Sequence, residues 1–195
     1  MVSLVFVTQL VLVLAVSRLA DFAIGQANSR WALSRGAVEY DREQYPLLVG
    51  LWMLVYTGTL VEAWVFDADF VPLLGGPMVA VALLAEAARW WTIATLGTGW
   101  TNRLIHWPDD PVGRARAAHD GPFGYLSRPA ELTGLVVGVA LPLAHSAWVT
   151  ALLFAVLYAT VVHRRMATED RMPSLAQMGL PPDSADPSSS PIHPA

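Results

Sequence analysis

Residues 132–162 read LTGLVVGVALPLAHSAWVTALLFAVLYATVV and contain no acidic residue and no arginine. As one helix rising 1.5 Å per residue, the stretch would be about 46 Å long, which exceeds the roughly 30 Å core of a bilayer. Pro142 lies near its middle and is followed by His145 and Ser146, a pattern that interrupts a helix. The stretch therefore predicts two helices joined by a turn, provided that the chain is a membrane protein.

The composition of the whole chain is typical of one membrane domain. The 195 residues are 54% hydrophobic and 14% charged, whereas about 25% of the residues of a soluble domain are charged. Its eight tryptophans suit the membrane–water interface, where this residue is enriched. The absence of cysteine excludes disulfides and thiolate metal ligands. The net charge of −4, without a basic block, argues against nucleic-acid binding.

Three earlier stretches are also apolar enough to form membrane helices, which need about 20 residues. They are residues 2–17, extendable to Ile24, residues 46–66 and residues 70–96. A secretory signal peptide is the rival interpretation of the first stretch, but no positively charged residue precedes its apolar run. We therefore expect the first stretch to be a membrane helix.

Five charged residues fall within these stretches, where ionisable groups are costly and often functional. The first stretch can extend to Ile24 if Arg18 and Asp21 lie at a membrane interface. Glu86 and Arg89 lie three residues apart on one helix face, so they can form an ion pair that faces the bundle. Glu62 is the only charge of the second stretch, and both a structural and a functional role remain open for it.

The distribution of arginine favours the hairpin over one kinked helix. All twelve basic residues are arginine. With five helices, every arginine except Arg89 lies on one side, in residues 18–45, residues 97–131 or the C-terminal segment. Because positive charge is retained in the cytoplasm, we expect the N-terminus outside and the C-terminus inside. The predicted fold is an all-α integral membrane bundle of about five transmembrane helices, the last two forming a helical hairpin.

The chain divides into two predicted regions. Residues 1–172 form the transmembrane domain, and residues 173–195 are rich in proline and serine with almost no large apolar residues. Such a composition cannot build a core and predicts a disordered cytoplasmic tail.

The segment GPFGYLSRPAEL, residues 121–132, has two interpretations. As a helix start, Pro129 suits the first turn and Glu131 complements the helix dipole. As the wall of a binding site, the helix N-terminus attracts anions and Arg128 can hold a carboxylate through two hydrogen bonds. No paired histidine spacing is present, so we predict no metal site.

Four segments, in this order, resemble the bacterial branch of the isoprenylcysteine carboxyl methyltransferase family. They are SRWALSRGAVEYDREQYPLLV (29–49), AARWWTIATLGTGWTNRLI (87–105), GPFGYLSRPAEL (121–132) and RRMATEDR (164–171). Because the likeness is ordered along residues 17–172, it is more specific than any single motif. It implies a five-helix membrane bundle with a terminal hairpin and an enzyme that uses S-adenosylmethionine.

The resemblance also implies the site residues. The catalytic residues are Arg103, in a Trp-Thr-x-Arg element that starts at Trp100, and Glu169. The residues that the resemblance places at the cofactor pocket are Phe123, Tyr125, Arg128, Pro129, Glu131, Leu132, Glu169 and Asp170. This sequence departs from the family pattern in having Ser127-Arg128-Pro129 instead of Arg-His-Pro, and Glu131 instead of tyrosine.

The function that the resemblance implies is transfer of a methyl group from S-adenosylmethionine to an oxygen of a lipophilic acceptor. The oxygen belongs to a carboxylate, a phenol or an enol, as in an isoprenylcysteine-like or long-chain polyketide molecule. The implied location is the bacterial plasma membrane, with membrane lipid as a partner and neither nucleic acid nor metal. Two alternatives remain: a non-catalytic protein of the same fold, because the motif histidine is absent, and an NADPH-dependent lipid reductase, because membrane sterol reductases share a similar C-terminal motif.

Overall fold

The computed structural model describes residues 2–40, 44–66, 70–106 and 129–177, and within these ranges the side chains from Leu4 to Thr168. Within these ranges the chain forms five α-helices and one small antiparallel sheet. The elements are α1 (Val2–Leu33), β1 (Val38–Tyr40), α2 (Gln44–Val65), α3 (Pro72–Leu96), a single 3-10 turn (Gly97–Gly99), β2 (Leu104–His106), α4 (Pro129–Leu143) and α5 (Trp148–Gln177).

Four of these helices are long and apolar enough to cross a membrane. The spans are Leu4–Leu33, Gln44–Val65, Pro72–Gly99 and Trp148–Thr168. α4 is also apolar but shorter, and it fills the bundle between α3 and α5. The predicted all-α membrane bundle of five helices is therefore confirmed, and the chain is an integral membrane protein.

The turn between α4 and α5 lies where the sequence predicts a break. Ala147 N donates to Pro142 O at 3.0 Å, and Ser146 N donates to Leu143 O at 3.1 Å. This pair of bonds is the Schellman arrangement that satisfies the last carbonyls of a helix, with Ser146 in the left-handed region at φ 56°. The predicted hairpin is confirmed.

Two glycines bring the arms of the hairpin into close contact. A Cβ atom at Gly138 would meet the ring of Phe154, and one at Gly134 would meet the hydroxyl of Tyr158. Phe154 is fully buried and its ring stacks on that of Tyr158, with centroids 5.0 Å apart. The missing side chains on α4 therefore make room for the aromatic rings of α5.

The bundle has two ends with different chemistry. The end of α1, the starts of α2 and α4, and the ends of α3 and α5 meet at what we call the polar end. There β1 pairs with β2, so that Glu39 lies opposite Ile105, and Asn28 donates to the carbonyls of Gly97 and Trp100. The turn between α4 and α5 lies at the opposite end, beside the end of α2.

Glu62 caps α5 at the opposite end. Its carboxylate accepts hydrogen bonds from Val149 N at 3.0 Å, from Thr150 N at 2.8 Å and from Thr150 Oγ1 at 2.8 Å. Backbone N–H groups in the first turn of a helix lack partners within the helix, and the dipole favours a negative charge there. The role that the sequence left open for Glu62 is therefore structural.

The predicted boundary at residue 172 falls within α5, because this helix continues to Gln177. Residues 178–195 lie outside the described residues. The disordered tail, and with it the division of the chain at this point, stays a prediction.

Gly138→Ala tests the packing of the hairpin. The added methyl group collides with Phe154, and overpacking of this kind costs about 1–3 kcal/mol. Thermal unfolding of the detergent-solubilised protein, followed by circular dichroism, should therefore show a lower midpoint than wild type. Gly76→Ala is the matched control because nothing lies within 4 Å of its added Cβ. Equal midpoints for the two variants would contradict close packing at Gly138.

Candidate active site

The polar end contains a cavity with an empty volume of about 670 Å³, counting the solvent space at its mouth. Charged and polar groups line one part of it, and aromatic and aliphatic side chains line the rest. The described lining residues are Glu39, Gln44, Tyr45, Leu48, Trp52, Arg89, Trp100, Thr101, Asn102, Arg103, Leu104, Ala130, Glu131, Tyr158, Val161, Val162 and Arg165.

Beneath the cavity lies Asp21, whose carboxylate is completely buried. Its Oδ2 accepts hydrogen bonds from Arg18 Nη1 at 2.9 Å and from Arg89 Nε and Nη2 at 2.8 and 2.7 Å. Its Oδ1 accepts from Trp100 Nε1 at 2.8 Å. Arg18 and Asp21 are both buried inside the bundle, where they bind each other and residues of α3. Their position at a membrane interface stays a prediction.

Glu86 is the second buried carboxylate of this network. It accepts a hydrogen bond from Ser17 Oγ, and its Oε2 lies 3.6 Å from Arg18 Nη2. The guanidinium of Arg18 also covers the ring of Trp52, 3.7 Å from its centroid. The expected Glu86–Arg89 pair does not form. Both residues face the bundle, as expected, but each binds an oppositely charged residue of α1 instead.

Arg103 is fixed by contacts with three elements. Nη1 donates to Glu39 Oε1 at 2.8 Å, Nε donates to Gln26 Oε1 at 3.2 Å, and the guanidinium lies 4.7 Å from the ring centroid of Tyr45. The side chain of Glu39 is only 4% exposed, whereas that of Arg103 is 23% exposed. The pair therefore presents a charged but well-anchored surface to the cavity.

The first turn of α4 forms another part of the wall. Glu131 Oε1 lies 3.8 Å from Arg165 Nε, and Tyr158 Oη donates to Glu131 O at 3.2 Å. Arg89 Nη1 donates to Ala130 O at 3.2 Å. Since Arg89 is also bound to Asp21, the start of α4 is tied to the buried network below it.

Two of the predicted site residues line this cavity together: Arg103 and Glu131. Pro129 and Leu132 lie on the same first turn of α4 but are not among the lining residues; Pro129 is buried and Leu132 is 44% exposed. The remaining predicted residues lie outside the described side chains. They are Phe123, Tyr125 and Arg128, and, in the last turns of α5, Glu169 and Asp170.

Sequence reasoning did not single out Glu39, Trp52 or Tyr158 as site residues. Glu39 is in the segment 29–49 that resembles the family, so a search of that segment for ionisable groups would have found it. Trp52 and Tyr158 lie in apolar spans and carry no such signal. Within the described ranges, no three histidine, aspartate or glutamate side chains are grouped so that they could hold a metal ion.

The sequence profile of the isoprenylcysteine carboxyl methyltransferase family matches residues 78–175, which is half of the chain. The chain belongs to this family. The matched region contains Arg103, Glu131 and Arg165, whereas Asp21 and Glu39 precede it. Membership supports methyltransferase activity in a membrane.

One curated relative is a Bacillus subtilis (strain 168) protein described as uncharacterized protein YpbQ. It is 24% identical to this chain over 162 residues, which cover 83% of this chain and 93% of the relative. The similarity therefore extends well beyond residues 78–175. No solved structure gives a significant match.

Asp21→Asn tests the buried network. Removing one charge leaves Arg18 and Arg89 without their main partner, and breaking a buried pair costs about 3–5 kcal/mol. Denaturant unfolding in detergent, followed by tryptophan fluorescence, should show this loss. The double variant Asp21→Asn/Arg89→Met is the control for coupling. Its free energy of unfolding should fall by less than the sum of the decreases in the two single variants. Strictly additive decreases would contradict a direct ion pair.

Proposed function

We propose that this protein transfers a methyl group from S-adenosylmethionine to an oxygen atom of a lipophilic acceptor within the membrane. The observation that supports it most is a cavity that joins a charged wall to an apolar wall, lined mainly by residues from the family-matched region. A water-soluble donor and a lipophilic acceptor need such a combined surface. The acceptor oxygen belongs to a carboxylate, a phenol or an enol, on an isoprenylcysteine-like or long-chain polyketide molecule.

The groups in the cavity suit S-adenosylmethionine chemically. Its cationic groups match the carboxylate of Glu131, and its purine matches the aromatic lining. When bound, this cofactor supplies a methyl group on a positively charged sulfur. By the family resemblance, Arg128, Glu169 and Asp170 complete the pocket, with Arg128 holding the carboxylate of the cofactor.

The contribution of the chain is mainly positioning. Arg103 orients the acceptor oxygen, since its guanidinium is anchored by Glu39, Gln26 and Tyr45. Holding the reacting atoms in line removes much of the entropic cost of the reaction. Excluding water helps further, because neutralisation of opposite charges is more favourable in a dry site. A carboxylate acceptor needs no base, whereas a phenol or enol does, and the resemblance assigns that role to Glu169.

We also propose an orientation in the bacterial plasma membrane. The polar end faces the cytoplasm, because the donor is water-soluble and because the arginines of residues 18–45 and of the C-terminal segment then lie inside. The acceptor enters from the lipid, between the helices. The N-terminus is outside.

Binding of the donor tests the proposal against its alternatives. We expect the protein in detergent to bind S-adenosylmethionine with micromolar affinity and to show no binding of NADPH in isothermal titration calorimetry. Binding of NADPH alone would instead indicate a lipid reductase. Binding of neither would indicate a non-catalytic protein of the same fold.

Arg128→Ala tests the proposed contact with the cofactor carboxylate. We expect the dissociation constant of S-adenosylmethionine to rise about tenfold, which corresponds to about 1.4 kcal/mol. Arg35→Ala is a matched control, because Arg35 is exposed and covers Trp31 outside the cavity. An Arg128→Ala variant that binds as tightly as wild type would remove this residue from the pocket.

A further inference from the structure

The ion pair between Glu39 and Arg103 combines a proton acceptor and a fixed cation at the cavity wall. Glu39 lies on β1 and Arg103 just before β2, so the pairing of the two strands brings them together. Glu39 Oε1 is 2.8 Å from Arg103 Nη1, and both residues line the cavity. Gln26 and Tyr45 hold the guanidinium independently of Glu39. Arg103 can therefore keep its place when Glu39 changes its protonation state.

Few other described residues of the cavity can accept a proton. Its described lining contains no histidine, and its only carboxylates are Glu39 and Glu131. Glu131 lies in the first turn of α4, and its partner Arg165 is 3.8 Å away. Glu39 accepts a hydrogen bond from Arg103, which lines the same cavity. When Glu39 takes the proton of the acceptor, the guanidinium of Arg103 therefore remains beside the acceptor oxygen that has lost it.

We propose that Glu39 is the general base for phenol or enol acceptors and that Arg103 stabilises the oxyanion that results. This inference rests on the proposed methyl transfer, and it assigns to Glu39 the role that the resemblance gives to Glu169. Glu169 then serves in the cofactor pocket alone.

The step balances in atoms and charge. The acceptor O–H bond breaks, its proton passes to a carboxylate oxygen of Glu39, and the electron pair stays on the acceptor oxygen. Before the transfer the wall holds one carboxylate and one guanidinium; afterwards it holds a neutral acid, the same guanidinium and an oxyanion. The net charge is unchanged, which matters in a site of low dielectric. The oxyanion then forms its bond to the methyl group of the sulfonium donor, the carbon–sulfur bond breaks, and the proton on Glu39 is lost to water.

The proposal predicts that Glu39 matters only for acceptors that carry a proton. A phenol, with a pKa of about 10, needs a base at neutral pH. A carboxylic acid is already ionised there and needs none. A merely structural role of Glu39 would affect both kinds of acceptor equally.

The experiment compares 4-dodecylphenol with dodecanoic acid, which carry chains of similar length, as acceptors for the full-length protein in detergent. For Glu39→Gln, we expect kcat/KM to fall about 100-fold with the phenol and less than about threefold with the acid, the scale of general base catalysis. Glu39→Asp, which keeps a carboxylate, should restore part of the activity with the phenol. Glu62→Gln makes the same chemical change outside the cavity and should leave the ratio of the two activities as in wild type.

Each outcome bears on one of the two proposals. Equal losses with both acceptors in Glu39→Gln would overturn the assignment of Glu39 as base, although methyl transfer itself would stand. Selective loss of activity with the phenol in Glu169→Gln, rather than in Glu39→Gln, would overturn that assignment as well. A wild-type protein that binds no S-adenosylmethionine and methylates neither acceptor would overturn the proposed function and this inference with it. Thermal unfolding of each variant in detergent, followed by circular dichroism, shows that the compared proteins are folded.

Discussion

The buried carboxylate of Asp21 is the constraint on which the rest of the structure depends. An arginine or aspartate at the centre of a membrane helix costs about 2.5–3.5 kcal/mol on insertion scales. Here the cost is offset because two buried cations, Arg18 and Arg89, meet two buried carboxylates, Asp21 and Glu86. These contacts are made only when α1 and α3 lie side by side in one register. The network therefore specifies how the first helix packs, a choice that apolar side chains in lipid specify weakly.

The same network fixes the floor of the cavity. Trp100 lies just beyond the end of α3, and its indole N–H is bound to Asp21. Arg89 binds Asp21 on one side and the carbonyl of Ala130 on the other, so the start of α4 cannot shift independently of α1. Glu131 follows directly and lines the cavity. Stability and site geometry consequently share residues, because Arg89 and Trp100 both belong to the buried network and line the cavity.

The parts of the fold that are predictable from the sequence are those with local causes. Apolar runs of membrane length and the Pro142 break specify the helices and the hairpin without reference to other elements. The partners of Arg18 and Asp21 are not predictable from the sequence, because a charged residue in an apolar run is equally consistent with an interface and with a buried partner. Besides binding each other, Arg18 and Asp21 each bind a residue of α3, far along the chain. Glu62 illustrates the same limit, since its role depends on the start of α5 meeting the end of α2.

The candidate site was predictable only where a motif marks it. Arg103 and Glu131 lie in segments that resemble the family, and the structure places them in one cavity. Glu39 joins them because strand pairing sets it beside Arg103. As a result, the three described arginines of the cavity each have a carboxylate neighbour: Arg89 has Asp21, Arg103 has Glu39 and Arg165 has Glu131. A neutral acceptor can bind beside these residues without separating an ion pair. Under the proposed methyl transfer, a carboxylate acceptor would instead share an arginine with a glutamate or be neutralised by the positive charge of the donor.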